Sequence, residues 1–204
     1  FAQLDTKSVY SFMDSVVDLN TYVKRAKELG YQSIGLMDRD NLYAAYHFAQ
    51  LAIRNGLRPL IGTEANLFYE GRKIPFRLLA KNNQGYKNLI KLATELSSGQ
   101  REFTYFSDYL NDIALILPSE DWEPGMSLGS EVFIGVRPED AGKEFDYPVV
   151  PLHTVRYFEN ADRSTIQTLH AISQNVSLSE VSICPMNQLL FSAKEMEEAY
   201  SKLP

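Results

Sequence analysis

The pattern of apolar segments predicts an α/β fold, with parallel strands in the middle and helices outside. Three observations carry this. Strand-like and helix-like stretches alternate from the start of the chain. The first two helical stretches each end at a glycine, Gly30 and Gly56. Short apolar runs then recur at 113–117, 132–136 and 149–152, each of a length that suits a buried strand. Alternation of this kind places helices on the faces of a parallel sheet. It also gathers functional side chains at the C-terminal ends of the strands, here Asp5, Asp38, Glu64 and residues 153–156.

The elements follow in order. Residues 2–4 form a short first strand. Asp18 is the expected N-cap of a helix in which Leu19, Tyr22, Val23, Ala26 and Leu29 fall at helical spacing. Gly30 supplies its stop, since glycine alone adopts the left-handed C-terminal conformation without cost. Residues 33–37 read as a buried strand ending at Asp38-Arg39-Asp40, and 42–55 as a second helix closed by Gly56. A strand at 60–62 ends at Glu64, and 66–80 reads as a hairpin turning at Glu70-Gly71. Residues 83–96 are helical, with Tyr86, Leu89, Ile90 and Ala93 on one face. Residues 97–109 show no clear period. Between the first two later strands, 118–129 carries proline, glycine and acids and reads as a surface loop. Helices at 162–173 and 193–202 complete the order.

Composition narrows the function classes. With 204 residues, 45% apolar and 23% charged, the chain has enough apolar surface for one well-filled domain. No repeat, low-complexity tract or domain boundary divides it. A net charge of −6 argues against a stand-alone nucleic-acid binder, which would present a basic face. The single cysteine, Cys184, excludes an internal disulfide and fits a reducing cytoplasm. No apolar run reaches membrane-spanning length and no signal peptide opens the sequence. A start without methionine and a stop just past a helical pattern read as a fragment of a longer chain.

Four stretches carry a resemblance. They are FAQLDTKSVYSFMDS at 1–15, DRDNLYAAYHF at 38–48, LLAKNNQGYKNLIKL at 78–92 and VPLHTVRYFENAD at 150–162. Together they resemble the N-terminal PHP (polymerase and histidinol phosphatase) domain of bacterial DNA polymerase III alpha subunits, of Gram-positive type. That resemblance implies a distorted (β/α)7-like PHP barrel spanning 1–204 as a single domain. It also implies a parent chain that polymerises DNA with magnesium, using domains other than this one. PHP domains that retain chemistry resemble trinuclear phosphoesterases, whose metals activate water and clamp phosphate.

Carried over residue by residue, the metal positions are depleted. The family's first motif holds metal through an H-x-H pair, which here is Asp5 and Lys7. Asp14, Asp38 and Glu64 survive as carboxylates. A histidine beside Asp38 is replaced by Arg39, another at the end of the 83–96 helix by Ser97, and a late D-x-H pair by Thr154 and Arg156. Two further positions align near Pro118 and Gly135. A charged lysine or arginine has no lone pair to give a cation, so only Asp5, Asp14 and Glu64 remain as metal donors, too few for a multinuclear centre. The expectation is that Lys7, Arg39 and Arg156 replace the metals' charge and neutralise Asp5, Asp14, Asp38 and Glu64, with no metal or other cofactor in this domain.

The resulting reading is a non-catalytic structural and interaction domain of a cytoplasmic replicative polymerase. Its partners would be the other domains of the alpha chain, and a proofreading exonuclease or other replisome subunits. It would meet DNA through the parent chain. Two alternatives stay open. One is a residual metal-dependent 3′–5′ exonuclease or phosphoesterase using Asp5, Asp14 and Glu64. The other is a phosphate or pyrophosphate pocket built from Lys7, Arg39 and Arg156, since guanidinium groups suit bidentate anion recognition. His47 and His170 read as surface or packing residues within helices, and His153 lies beside a metal position without occupying it. Cys184 reads as a buried structural thiol. The segment 101–109 reads as a loop packed on the barrel rather than a base-stacking surface, and Lys81, Lys87 and Lys91 as a solvated helix face.

Overall fold

The computed structural model describes residues 1–99, 102–129 and 131–203. Its strands are β1 (Ala2–Gln3), β2 (Asp5–Thr6), β3 (Ser33–Arg39), β4 (Arg58–Tyr69), β5 (Arg72–Ala80), β6 (Ile113–Pro118), β7 (Val132–Val136), β8 (Val149–Pro151) and β9 (Thr154–Val155). Its α-helices are α1 (Leu19–Glu28), α2 (Ala45–Arg54), α3 (Asn83–Ser97), α4 (Asp162–Gln174) and α5 (Ala193–Ala199).

Local chemistry sets the helix ends. The Asp18 carboxylate accepts from the Thr21 amide at 2.9 Å, and Gly30 leaves α1 with φ near 87°. Asn82 caps α3 by accepting from the amides of Gln84 and Gly85. The second helix starts at Ala45, three residues later than its apolar spacing suggests. Asp40 has a positive φ of 55°, and the Asn41 side chain accepts from the Tyr43 amide at 3.1 Å. That Asx turn holds residues 40–44 outside the helix. The stretch without a clear period contains a 3-10 helix at Phe103–Tyr109, which buries Phe103 and Phe106 in the core; Arg101 lies outside the described residues.

A seven-stranded sheet has the order β1-β3-β4-β5-β6-β7-β8. It is mixed: the expected hairpin makes β5 antiparallel to β4, and β5 also runs antiparallel to β6, where the strand–helix alternation had implied parallel pairing. The cause of the hairpin is the turn at Glu70-Gly71. Both residues have positive φ, 49° and 77°, the geometry of a two-residue hairpin whose twist matches the flanking strands. The tight turn keeps pairing continuous, so β4 extends without a break from Arg58 to Tyr69.

The two sheet edges meet through their own continuations. Beyond Gln3 and Pro151 the edge strands step out of the large sheet, and β2 and β9 pair in parallel, Asp5 with Thr154 and Thr6 with Val155. The curled half-barrel is thereby tied across its opening. The side-chain amide of Gln3, wholly buried, spans the seam by donating to Asp5 O at 3.2 Å and His153 O at 2.6 Å.

Helix α1 locks the same region. Tyr22 stacks on Phe48 of α2 with ring centroids 5.9 Å apart. Its buried hydroxyl accepts from Thr6 and donates to the Gly35 carbonyl. Burial drives the Tyr22 phenol pKa far above its ordinary value, so this hydroxyl stays a donor. Where the chain crosses from β1 to β2, Leu4 passes directly over β3. A Cβ added to Gly35 would lie 2.3 Å from the Leu4 carbonyl oxygen. Gly35→Ala is therefore expected to destabilise the domain by about 1–3 kcal/mol or more through overpacking, read as a lowered midpoint in urea unfolding.

Candidate functional site

The charged side chains expected at the strand ends converge in one buried cluster beside the β2–β9 ladder. Lys7 follows β2, and its amide extends the ladder by donating to Val155 O at 2.9 Å. Its ammonium is wholly buried and meets three oxygens, Asp5 Oδ1 at 2.7 Å, Glu64 Oε2 at 2.9 Å and the Met37 carbonyl at 2.7 Å. An ammonium has three protons to donate, and three oxygens lie within 3 Å of this one.

From Lys7 the ion pairs run outward with alternating sign. Glu64 Oε1 meets Arg39 Nε at 2.8 Å, and Arg39 Nη2 meets Asp14 Oδ2 at 2.9 Å. Asp14 in turn meets Arg156 Nε at 3.2 Å and His170 Nε2 at 3.1 Å. On the other side, Asp5 Oδ2 accepts from Arg77 Nε at 3.1 Å and from the Thr154 hydroxyl at 2.7 Å. Arg77 Nη2 also reaches Glu64 Oε2 at 3.3 Å. Every carboxylate oxygen of Asp5, Asp14 and Glu64 thus faces a cation or an imidazole.

Two members of this cluster were absent from the sequence reading. Arg77 lies opposite Glu64 in the antiparallel register of β4 and β5. Directly opposed residues in a ladder share a face, and counting back from Glu70-Gly71 would have paired them. His170 was read as a surface or packing residue, and α4 instead turns it onto Asp14. No local signal in α4 pointed there, because that contact spans 156 residues.

The remaining positions singled out in the sequence lie as follows. Asp38 pairs with no cation among the described residues. Its carboxylate accepts from the Ser8 amide at 2.6 Å and from the hydroxyls of Ser8 and Ser11, each at 2.7 Å. Backbone and hydroxyl donors satisfy a buried carboxylate as a cation would. Ser97 is exposed at the end of α3, its hydroxyl turned back to Thr94 O at 2.6 Å, and it takes no part in the cluster. Pro118 and Gly135 are register partners on β6 and β7. His47 is exposed on α2. His153 sits beside the seam with Nε2 2.7 Å from Leu189 O, and burial lowers its pKa. Cys184 is buried against Gln188, and burial raises its thiol pKa, which suits an unreactive role.

Electrostatics follow from this packing. Burial pushes the Asp5 carboxyl pKa up, but Lys7 and Arg77 more than offset it and hold it at about 2. Burial acts the same way on Glu64, and Lys7, Arg77 and Arg39 together drive its pKa well below the usual range. Arg39 and Arg77 lose charge stability to burial and regain more from their carboxylates, so both are raised. Asp5, Glu64, Arg39 and Arg77 therefore stay ionised through neutral pH.

This donor set does not suit a metal ion. Among the described residues, no group of three or more His, Cys, Asp or Glu side chains is placed to hold one. Of the three cations expected to hold an anion, Lys7 is closed off. Its ammonium has no exposure, so an incoming phosphate could not reach it.

The profile of one family, the PHP domain, matches residues 3–124. The chain belongs to the PHP domain family. Its relatives are DNA polymerase III alpha subunits of Gram-positive type. It is 43% identical over 202 residues to DNA polymerase III subunit alpha of Streptococcus pyogenes serotype M1, covering 98% of this chain and 20% of that protein. The same subunit from Bacillus subtilis is 33% identical over 126 residues, covering 59% of this chain and 11% of that one. This PHP domain thus spans about one-fifth of the length of the Streptococcus relative. Among solved structures, an amidohydrolase from Chromobacterium violaceum is similar at 18% identity with a TM-score of 0.40, over 48% of this chain and 33% of the other.

Two outcomes are expected of the PHP domain's cluster. Lys7→Met leaves Asp5 and Glu64 facing each other, and should cost about 3–5 kcal/mol of stability. Asp5→Asn combined with Lys7→Met should recover part of that loss, and a double-mutant cycle in urea reads the difference. The second outcome concerns pH. Because the folded Asp5 and Glu64 bind protons less readily than the unfolded chain, their stabilisation is complete above pH ~4 and is lost as pH falls toward ~2. Asp5 alone accounts for about 2 kcal/mol of it. Circular dichroism melts between pH 6 and 2 should show that fall, and Asp5→Asn should flatten it.

Proposed function

We propose that this PHP domain is a structural and interaction module without hydrolytic chemistry, in which fixed protein cations replace catalytic metals. One observation carries the reading: the wholly buried Lys7 ammonium, held by Asp5, Glu64 and the Met37 carbonyl. A carboxylate cage around a divalent cation needs uncompensated negative charge, and here Lys7, Arg39, Arg77 and Arg156 have compensated it. The former metal positions Asp5, Lys7, Asp14, Arg39, Glu64, Thr154 and Arg156 serve as an internal brace.

On this reading the 204 residues form one domain of a DNA polymerase III alpha subunit in the cytoplasm. The parent chain is a DNA-directed DNA polymerase that uses magnesium at a site in its other domains. Those domains are the first partners, and a proofreading exonuclease or other replisome subunits are further ones. DNA is engaged through the parent chain. No helix among the described residues is long and apolar enough to cross a membrane.

Metal content decides between a brace and a residual phosphoesterase. After exposure to zinc and manganese and brief dialysis, the purified chain should retain well under one equivalent by inductively coupled plasma mass spectrometry. It should also release no nucleotide from a 3′-labelled oligonucleotide. Two or three tightly held equivalents, or metal-dependent release abolished by Glu64→Gln, would overturn the reading.

A further inference from the structure

The outer surface between α2 and α3 carries a feature that the ion-pair brace does not use. Two cavities of about 310 and 340 Å³ run along α3, the first bordered by α2 and the second by residues 40–43 just before α2. Tyr86 lines both, so they form one groove. Its floor is apolar backbone and side chain from β4, Pro59 to Ile61. Tyr46 flanks one half and Tyr43 the other, and they are 71% and 81% exposed. Large aromatic rings left this open gain nothing from the fold. A hydrogen bond from Gln50 to the Tyr46 hydroxyl at 2.7 Å restrains that ring in its exposed position.

Cations border the groove. Arg58 and Lys81 line it, and Lys87 and Lys91 follow Tyr86 and Ile90 by one position on α3. Lys81 is paired with Glu131, whereas Arg58, Lys87 and Lys91 form no ion pair with a described residue. Asp40, at one end, is the carboxylate among the lining residues. Arg58 is therefore an unpaired cation lining the groove beside the exposed tyrosines, with the exposed Lys87 next to Tyr86 in sequence.

We propose that this groove binds single-stranded nucleic acid without sequence preference. Tyr43, Tyr46 and Tyr86 would stack on unpaired bases, while Arg58, Lys81 and Lys87 would meet the phosphates. Stacking on aromatic rings beside a cationic track is the chemistry of sequence-tolerant single-strand binding, because every base presents a π-face. Duplex DNA hides those faces, so the groove discriminates against it.

Fluorescence anisotropy of a labelled oligothymidylate of about ten nucleotides, titrated with the 204-residue chain at about 50 mM salt, tests this. Saturable binding is expected, weakening with a log–log salt slope near −2 for about three phosphate contacts. Tyr43→Ala with Tyr46→Ala should weaken it about tenfold or more, and Arg58→Glu should weaken it and flatten the salt slope. Both tyrosines are exposed, so the melting temperature of the double variant should stay unchanged. No saturation, equal competition by duplex, or affinity indifferent to the tyrosine changes would overturn the proposal. So would a dimer in sedimentation velocity that Tyr46→Glu disperses, which would assign the groove to a second copy.

Discussion

The site depends on one ammonium group. Lys7 carries its charge into a place with no water, and that is tolerable only because three oxygens at 2.7–2.9 Å replace the hydration shell. The same three contacts make Asp5 and Glu64 tolerable in turn. Neither partner could be buried without the others, so the strands that bear them are held in fixed relation. Arg39, Arg77 and Arg156 extend the compensation until it reaches groups near the surface, where water takes over. Arg39 is 39% exposed on its side chain while Asp14 is only 7% exposed.

Architecture supplies the precision that this requires. The ladder of β2 and β9 brings Asp5 against Thr154, and the register of β4 with β5 sets Glu64 against Arg77. Parallel pairing of β3 with β4 places Arg39 beside Glu64. A one-residue slip in any of these ladders would turn the side chains to the opposite face. The buried charges thus penalise wrong registers, so the network favours one closure of the barrel over its neighbours. A metal would impose similar geometry but could be removed by a chelator, whereas covalently fixed cations cannot.

Much of this was legible in the sequence, for physical reasons that differ by element. The helix caps Asp18 and Asn82 and the stop at Gly30 act through bonds to near neighbours, so local reading reaches them. Placing Lys7, Arg39 and Arg156 among carboxylates came from aligned motifs, not from periodicity. The hairpin was visible, but its consequence for Arg77 needed the register to be counted. His170 and the true partners of Asp38 were not legible. The first is a contact between distant segments, and the second a choice between hydroxyls and cations that packing alone decides. The antiparallel pairing of β5 with β6 was hidden because an alternating pattern says nothing of strand direction.

The seam has a consequence for synthesis. Asp5 leaves the ribosome well before its partner Thr154, which follows 149 positions later. Domains are made from the N-terminus at about 5–20 residues per second, so Asp5 waits roughly seven to thirty seconds for its hydroxyl partner. Through that interval the second edge that ties β2, namely β9, does not yet exist. Barrel closure is therefore a late, long-range event, of the kind whose loop entropy slows folding. The domain reaches its final charge balance only once nearly its whole length has emerged.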